Sequence, residues 1–203
     1  MSDIVVRKLS VEDKAVVARI ADIHLATFKG FFLTFMGRGF LRQMYKAYIK
    51  HSMSGIFVAE DSTGVIGFLS YSEHMSGLYK YMIKRQLIPF AWYSLWAFVR
   101  KPKVFLRLLR AFMKPSEATR NEKYVELSSI GVHPDSKARG VGSKLVEALK
   151  DEVDFNTFEY ITLETDAINN EAAINFYKKN SFVVEKEYET REGRKMLEFR
   201  FRP

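Results

Sequence analysis

The sequence between residues 124 and 145, YVELSSIGVHPDSKARGVGSKL, has the residue types and the spacing of an anion-binding turn. It predicts a strand, a loop that contains a proline, and a glycine-containing turn that runs directly into a helix. Gly140 and Gly142 let a ligand approach the backbone closely, and residues 138–143 would offer N–H groups at the start of the helix. Three cations accompany the turn, Lys137, Arg139 and Lys144. Because backbone donors and the positive end of a helix dipole bind phosphate groups, we expect a phosphate-bearing ligand here.

Two familiar glycine-rich phosphate loops do not fit this turn. A dinucleotide-binding fingerprint needs a third glycine where this chain has Leu145. A P-loop needs Gly-Lys-Ser/Thr and an earlier glycine, but the chain has Gly142-Ser143-Lys144, and Lys137 stands at the earlier position. The turn therefore predicts a different kind of phosphate site.

The turn resembles the signature of the GCN5-related N-acetyltransferase (GNAT) family, Gln/Arg-x-x-Gly-x-Gly/Ala after a strand that ends in Val-x-Pro. Here the signature reads Lys137-Ala138-Arg139-Gly140-Val141-Gly142, so its first position departs from the pattern but keeps a side-chain donor. A second segment, Asn170-Glu171-Ala172-Ala173-Ile174-Asn175-Phe176-Tyr177, is similar to the family's Asn-x-x-Ala-x-x-x-Tyr helix. Ser181-Phe182 then stands where Gly-Phe is usual. The resemblance covers residues 124–188 and the N-terminal order of strand, two helices and hairpin.

The resemblance implies a transfer of an acetyl group from acetyl-CoA, as co-substrate, to a primary amine. It implies that the CoA pyrophosphate is bound by Lys137, Ala138, Arg139, Gly140, Val141, Gly142 and Ser143. It also implies that pantetheine pairs with the backbone of the segment Ile130, Gly131 and Val132. Asn170 would contact the pantetheine arm, and Tyr177 would donate a proton to the departing thiolate.

Glu126 is the candidate general base, although an ordered water could take its place. An amine must lose a proton before it attacks a thioester, because an alkyl ammonium, with a pKa near ~10, has no lone pair. Glu126 lies fourteen residues before Gly140, where the histone-acetyltransferase branch of the resembled family carries its catalytic glutamate. Strand alternation predicts that Glu126 and Ile130 share one face, unless a bulge intervenes.

Each candidate also has a purely structural interpretation. Glu126 could be a solvated carboxylate at a strand end, and Tyr177 could be a core tyrosine of an amphipathic helix. The register of the motif favours the acid role for Tyr177. The chain as a whole could be a non-catalytic acyl-CoA-binding or regulatory module.

Composition excludes several classes of site. The chain has no cysteine, which rules out a disulfide framework, a thiol nucleophile and a cysteine-based metal site. It has no Gly-x-Ser-x-Gly motif, so we expect direct transfer in a ternary complex. The four histidines are too widely spaced for a local metal motif, and we expect no metal. Among them, His24 and His74 are minor candidates for contact with an acceptor.

The net charge of +8 belongs to one segment, since residues 79–120 contain ten Lys/Arg and a single acid, Glu117. Aromatic residues alternate with these cations, and the uncharged run 86–99 is too short to cross a bilayer of ~30 Å. Three interpretations stay open: a lid facing an anionic substrate such as a sugar nucleotide, a peripheral membrane contact, and a homodimer interface. The lid and the dimer interface are favoured. No specific nucleic-acid site and no secretory signal are visible, so a cytoplasmic location is expected.

Hydrophobic periodicity predicts one α/β domain over residues 1–203, with a helical insertion at 75–120. The expected fold is that of acyl-CoA N-acyltransferases, a mostly antiparallel twisted sheet with helices on both faces. A capping box from Ser10 to Asp13 is expected to open the first helix. Pro89 and Pro102 are expected to interrupt the insertion. The remaining predicted strands cover 4–8, 55–60, 65–71, 124–132, 160–165, 182–188 and 196–201, and the remaining helices cover 40–50, 141–153 and 171–179.

Overall fold

The computed structural model describes residues 3–100, 102, 122–136, 139–190 and 193–203. Within them, seven strands form one sheet in the order β1-β2-β3-β4-β5-β7-β6, and β4–β5 is the parallel pair among antiparallel ones. The strands are β1 Val5–Lys8, β2 Ser54–Asp61, β3 Gly64–Ser72, β4 Tyr124–Val132, β5 Tyr160–Asp166, β6 Val183–Glu189 and β7 Lys195–Phe201. The mostly antiparallel α/β sheet that the sequence predicts is therefore confirmed.

Helices cover both faces of this sheet. They are α1 Lys14–Thr27, α2 Phe32–Met36, α3 Arg38–Lys50, α4 Met75–Arg100, α5 Val141–Glu152 and α6 Glu171–Lys179. Apart from α1 and α2, the strands and helices outside the insertion lie within two residues of their predicted bounds. The short helix α2 was not predicted, because its run of aromatic residues lacks a readable period.

The first helix begins later than the capping box suggested. The carboxylate of Asp13 accepts hydrogen bonds from the backbone N–H groups of Ala15 and Val16, at 2.8 and 3.2 Å. Asp13 is therefore the N-cap, and the prediction that Ser10 opens the helix is wrong. A carboxylate at this position satisfies two of the N–H groups that a helix start leaves unpaired.

Helix α4 continues through Pro89, so the predicted break at that residue is also wrong. A proline inside a helix removes one backbone hydrogen bond, and tertiary packing offsets that loss. The Phe90 ring lies 4.7 Å from the Phe40 ring of α3, and the Tyr93 ring occupies the space above Gly39, where any Cβ atom would collide with it. The predicted break at Pro102 adjoins residues 101 and 103–121, which lie outside the described residues.

Two apolar cores lie on the two faces of the sheet. One packs α1 and α3 against residues such as Val58 and Phe68, and the other packs α5 and α6 against residues such as Leu69 and Phe199. Adjacent strand residues alternate between faces, which is why Phe68 and Leu69 belong to different cores. Both faces of the central strands are thus covered by helices.

Candidate active site

Strands β4 and β5 separate after three paired residues. Tyr124, Val125 and Glu126 lie opposite Tyr160, Ile161 and Thr162, and no pairing with β5 follows for residues 127–132. On its other side, β4 stays paired with β3 as far as Val132. The backbone of residues 127–132 therefore borders a gap within the sheet that an extended ligand can enter.

A β-bulge interrupts β4 beside this gap. Ser129 pairs with Ser70 and Leu127 pairs with Tyr71, so Ser128 is the extra residue. Leu127 packs into the core beneath α5, and Ile130 packs against that same core. Glu126 precedes Leu127 and lies on the opposite face. The prediction that Glu126 and Ile130 share one face is therefore wrong, and the bulge is the reason.

Glu126 faces the helices α3 and α4. Burial raises the pKa of the Tyr48 hydroxyl on α3, and the negative charge of Glu126 adds to that rise. Desolvation likewise raises the pKa of Tyr79 on α4, to which the charges of Glu126 and Glu164 contribute. The candidate base thus lies among phenol groups and a second carboxylate, on the side of the sheet that the insertion enters.

A buried polar group lies under the same face. His24 Nδ1 is 2.6 Å from the Tyr45 hydroxyl, and the His24 side chain is 2% exposed. Its Nε2 atom is buried and has no hydrogen-bond partner among the described residues. Burial lowers the pKa of His24 to about 4, so the imidazole is neutral at pH 7. Local sequence patterns carry no signal for this pair, because the two residues lie on different helices.

The glycine turn that precedes α5 has the geometry expected of an anion site. Gly140 is the N-cap of this helix and has a φ of 74°, in the left-handed region that favours glycine. The first N–H groups of a helix have no carbonyl partner within it, and Gly140 has no side chain to cap them. Among the described residues, a Cβ atom at Gly140 would meet nothing within 4 Å. Donors and space therefore coincide at this turn.

The turn also lies beside the gap. A Cβ atom at Gly67 of β3 would stand 2.9 Å from the Val141 side chain and 3.3 Å from the Gly131 carbonyl oxygen. The start of α5 and the end of β4 therefore approach each other across one glycine. A ligand that binds the turn through a phosphate can extend along β4 from there.

Gly142 serves helix packing. A Cβ atom there would stand 2.8 Å from the Phe176 ring of α6. Two cations near the turn have partners inside the chain. The Arg139 guanidinium donates to the Asp61 carboxylate at 2.7 Å, and Lys144 Nζ donates to the Ile4 carbonyl at 3.1 Å. The structure thus ties Arg139 to the end of β2 and Lys144 to the residue before β1, whereas Lys137 and Ala138 lie outside the described residues.

Helix α6 places Asn170 and Tyr177 on the other side of the gap. The Asn170 amide donates to Thr165 Oγ1 at 2.6 Å and to the Asp166 carbonyl at 3.0 Å, which fixes the start of the helix. Tyr177 packs among aromatic rings in the core beneath α5, and burial raises its pKa to about 12. None of the described residues hydrogen-bonds to its hydroxyl. A tyrosine in this state keeps its proton at neutral pH.

The model of the acetyltransferase (GNAT) family matches residues 19–182, which is most of the chain. The mostly antiparallel sheet with helices on both faces also matches the fold of GNAT acetyltransferases. The chain therefore belongs to the GNAT family of acetyltransferases, as the two sequence motifs predicted.

Solved structures share the fold at low sequence identity. A protein from Desulfovibrio desulfuricans, assigned to the GNAT family, is 14% identical with a TM-score of 0.63, and the match covers 98% of this chain and 99% of that one. The acetyltransferase yncA from Salmonella typhimurium, solved with acetyl-CoA, is 16% identical with a TM-score of 0.60 and coverages of 98% and 93%. Arabidopsis thaliana NAA60, in complex with acetyl-CoA, is 16% identical with a TM-score of 0.59 and coverages of 98% and 98%. None of the curated proteins compared with the chain matches it significantly.

Proposed function

We propose that this protein transfers an acetyl group from acetyl-CoA to a primary amine, by direct reaction in a ternary complex. The observation that carries the proposal is the gap between β4 and β5 beyond Glu126, together with the start of α5 at Gly140, where no side chain of the described residues caps the first N–H groups. The acetyl-CoA complexes of two proteins with this fold support the choice of acyl donor.

In this proposal the CoA pyrophosphate binds at residues 137–143, and pantetheine extends along Ile130, Gly131 and Val132. The backbone of β4 beside the gap then orients the thioester and stabilises the oxyanion that forms. The side chain of Asn170 contacts the pantetheine arm in this proposal, as the resemblance implies. Helix packing through Gly142 holds α5 and α6 at the spacing this arrangement needs.

The amine nitrogen attacks the acetyl carbonyl carbon, so that a C–N bond forms and the C–S bond breaks. The amine gives up a proton to Glu126, directly or through a water, and the CoA thiolate takes a proton from Tyr177. Because burial keeps Tyr177 protonated, it can serve as the acid at neutral pH. The chain has no cysteine to carry the acetyl group, which favours direct transfer over a thioester enzyme intermediate.

We propose a small cationic acceptor, such as an amino sugar. Glu126 and Glu164 lie close enough to Tyr79 for both charges to raise its pKa, so negative charge is concentrated on this face. Two carboxylates attract an ammonium group to the site before it loses its proton.

The test combines binding with turnover. Calorimetry should detect saturable binding of acetyl-CoA and of CoA, and release of free thiol should accelerate with one class within a panel of amines. Amino sugars, nucleotide-linked amino sugars, polyamines and peptide N-termini make up the panel. Saturable CoA binding without thiol release for any amine would support a non-catalytic CoA-binding module instead. An absence of binding would remove the proposal altogether.

A further inference from the structure

Helix α4 carries a row of large apolar side chains that remain exposed. Ile88, Trp92, Leu95 and Val99 are 83%, 63%, 54% and 68% exposed. Their spacing of four, three and four residues places all four on one side of the helix, over a length of about 16 Å. The transfer of such side chains from water to an apolar environment is favourable in free energy, so this row is suited to an apolar partner.

The rest of the chain fixes the direction in which the row points. The opposite side of α4 packs on the helical core through Met82, Phe90 and Tyr93. A helix that is held along one side and apolar along the other cannot turn its exposed row inward. The row therefore lies on the surface of the part of the chain that the structure describes.

Positive charge adjoins the row. Lys84 and Arg85 are exposed and lie one turn before Ile88, on the same side of the helix. Residues 75–100 contain four cations and no Asp or Glu, and the wider segment 79–120 carries a formal charge of +9. Any partner that covers the row must accept this charge.

We propose that this surface, formed by Lys84, Arg85, Ile88, Trp92, Leu95 and Val99, docks the protein onto an anionic lipid bilayer. The apolar row would enter the boundary between headgroups and acyl chains, where tryptophan is favoured, and the cations would contact lipid phosphates. None of the described helices is long and apolar enough to span a membrane, so the contact is peripheral.

Charge favours a bilayer over a second copy of the chain. Pairing two such surfaces would bring together two copies of α4, each with four cations and no acid to compensate. An anionic membrane offers both an apolar interior and the opposite charge. A neutral apolar surface would offer an apolar environment but no negative charge.

The experiment is flotation of the full chain with vesicles of phosphatidylcholine alone, and of equal parts phosphatidylcholine and phosphatidylglycerol. We expect flotation with the anionic vesicles only, weakening as salt rises. In a Trp96→Phe variant, Trp92 is the sole tryptophan. Its emission should shift to the blue when anionic vesicles are added.

Two pairs of double variants test whether vesicle binding depends on this surface or on exposed apolar and charged residues in general. Trp92→Ser with Leu95→Ser should weaken binding by at least about tenfold, whereas Ile168→Ser with Val183→Ser, exposed on other elements, should not. The double variant Lys84→Glu/Arg85→Glu should also weaken binding to anionic vesicles, whereas Lys186→Glu/Lys195→Glu should not.

Acetyl-CoA binding serves as an independent check, because docking and the proposed reaction can fail separately. It should be unchanged in all four variants, which shows that they fold. No flotation with anionic vesicles, or equal flotation of the Trp92→Ser/Leu95→Ser variant and the parent, overturns the proposal. A dimer that depends on Trp92 and Leu95, without vesicle binding, overturns it in favour of self-association.

Discussion

Glu126 and Thr162 lie opposite each other at the last position where β4 and β5 are paired. The carboxylate therefore stands at the mouth of the gap, on the face covered by α3 and α4. Tyr177 belongs to the core on the other face. The proposed base and the proposed acid thus approach the reacting atoms from opposite sides of the sheet, so that a proton can be taken from the amine and another given to the thiolate.

Replacing Glu126 with Gln should lower turnover by about a hundred- to ten-thousandfold, since an amide cannot accept the amine proton. Acetyl-CoA affinity should stay the same, because Glu126 is not among the proposed cofactor contacts, which are the backbone further along β4, residues 137–143 and Asn170. Steady-state kinetics and calorimetry measure the two quantities. Glu187→Gln, at an exposed position of β6, is the matched control. A Glu126→Gln enzyme with full activity would show that another group or a water alone acts as base.

Tyr177→Phe should also lower turnover while leaving acetyl-CoA bound. Burial raises the pKa of Tyr177 to about 12, so the hydroxyl stays protonated below that pH. The parent enzyme should therefore show no alkaline loss of activity from this group between pH 7 and about 10. Tyr188→Phe, on the β6–β7 hairpin, controls for loss of a tyrosine hydroxyl. Unchanged turnover in Tyr177→Phe would reduce this residue to a core aromatic.

The two glycines of the turn should respond differently to alanine. At Gly142 a Cβ atom would press on the Phe176 ring, so Gly142→Ala should destabilise the fold by about 1–3 kcal/mol through overpacking. Combining it with Phe176→Leu should recover part of that loss. At Gly140 space is open, and the cost is about 1–2 kcal/mol for a left-handed φ, which no neighbouring substitution relieves. Urea unfolding of Gly142→Ala and Gly140→Ala, each with and without Phe176→Leu, measures these differences, and equal rescue at both sites would contradict the assignment.

His24 should make stability depend on pH. Its pKa is about 4 in the folded chain, below the ordinary value of 6.5, so the unfolded chain binds the additional proton. The stabilisation is complete above about pH 6.5 and is lost as the pH falls towards 4, amounting to about 3 kcal/mol. His24→Gln should remove most of this dependence of stability on pH. A smaller dependence should remain, because burial also lowers the pKa of His51. An unchanged pH dependence of stability in His24→Gln would contradict this contribution.

Asp61 should also make the stability of the fold depend on pH, in a lower pH range than His24. Its pKa is lowered to about 2, first by hydrogen bonds from Thr63 and then by the Arg139 guanidinium. Since the folded pKa lies below the ordinary value near ~3.9, this stabilisation is present above pH 4 and lost as the pH falls to 2. Asp61→Asn should make acid unfolding between these values less steep in circular dichroism. Asp151→Asn, exposed on α5, serves for comparison, and an identical profile for both variants would count against the Asp61 contribution.

Local patterns in the sequence were enough for most elements. The alternation of apolar residues in the strands and the helical period of residues 141–153 depend on near neighbours along the chain, so their bounds could be read directly. The glycine turn before α5 was predicted for the same reason, because its left-handed Gly140 and the helix start are adjacent. Two predictions from local signals were wrong. At Ser10, the nearby Asp13 caps the helix instead, and at Pro89, packing of α4 keeps the helix continuous.

The faces of β4 could not be predicted, because the bulge at Ser128 is set by pairing with β3. One additional residue moves every later side chain to the other face, so Ile130 packs under α5 although its spacing from Glu126 suggested otherwise. The partners of Arg139 and the His24–Tyr45 contact were hidden likewise, since their residues are far apart in the chain.

The sequence alone thus determined the family, the order of elements and the turn that can hold a phosphate, since each is encoded in short stretches of neighbouring residues. Only the tertiary structure decided which strands separate, which side of the sheet Glu126 and Tyr177 occupy, and which side of α4 stays in solvent. Those features depend on contacts between distant segments, whose energies are summed over the whole fold rather than written at any one position.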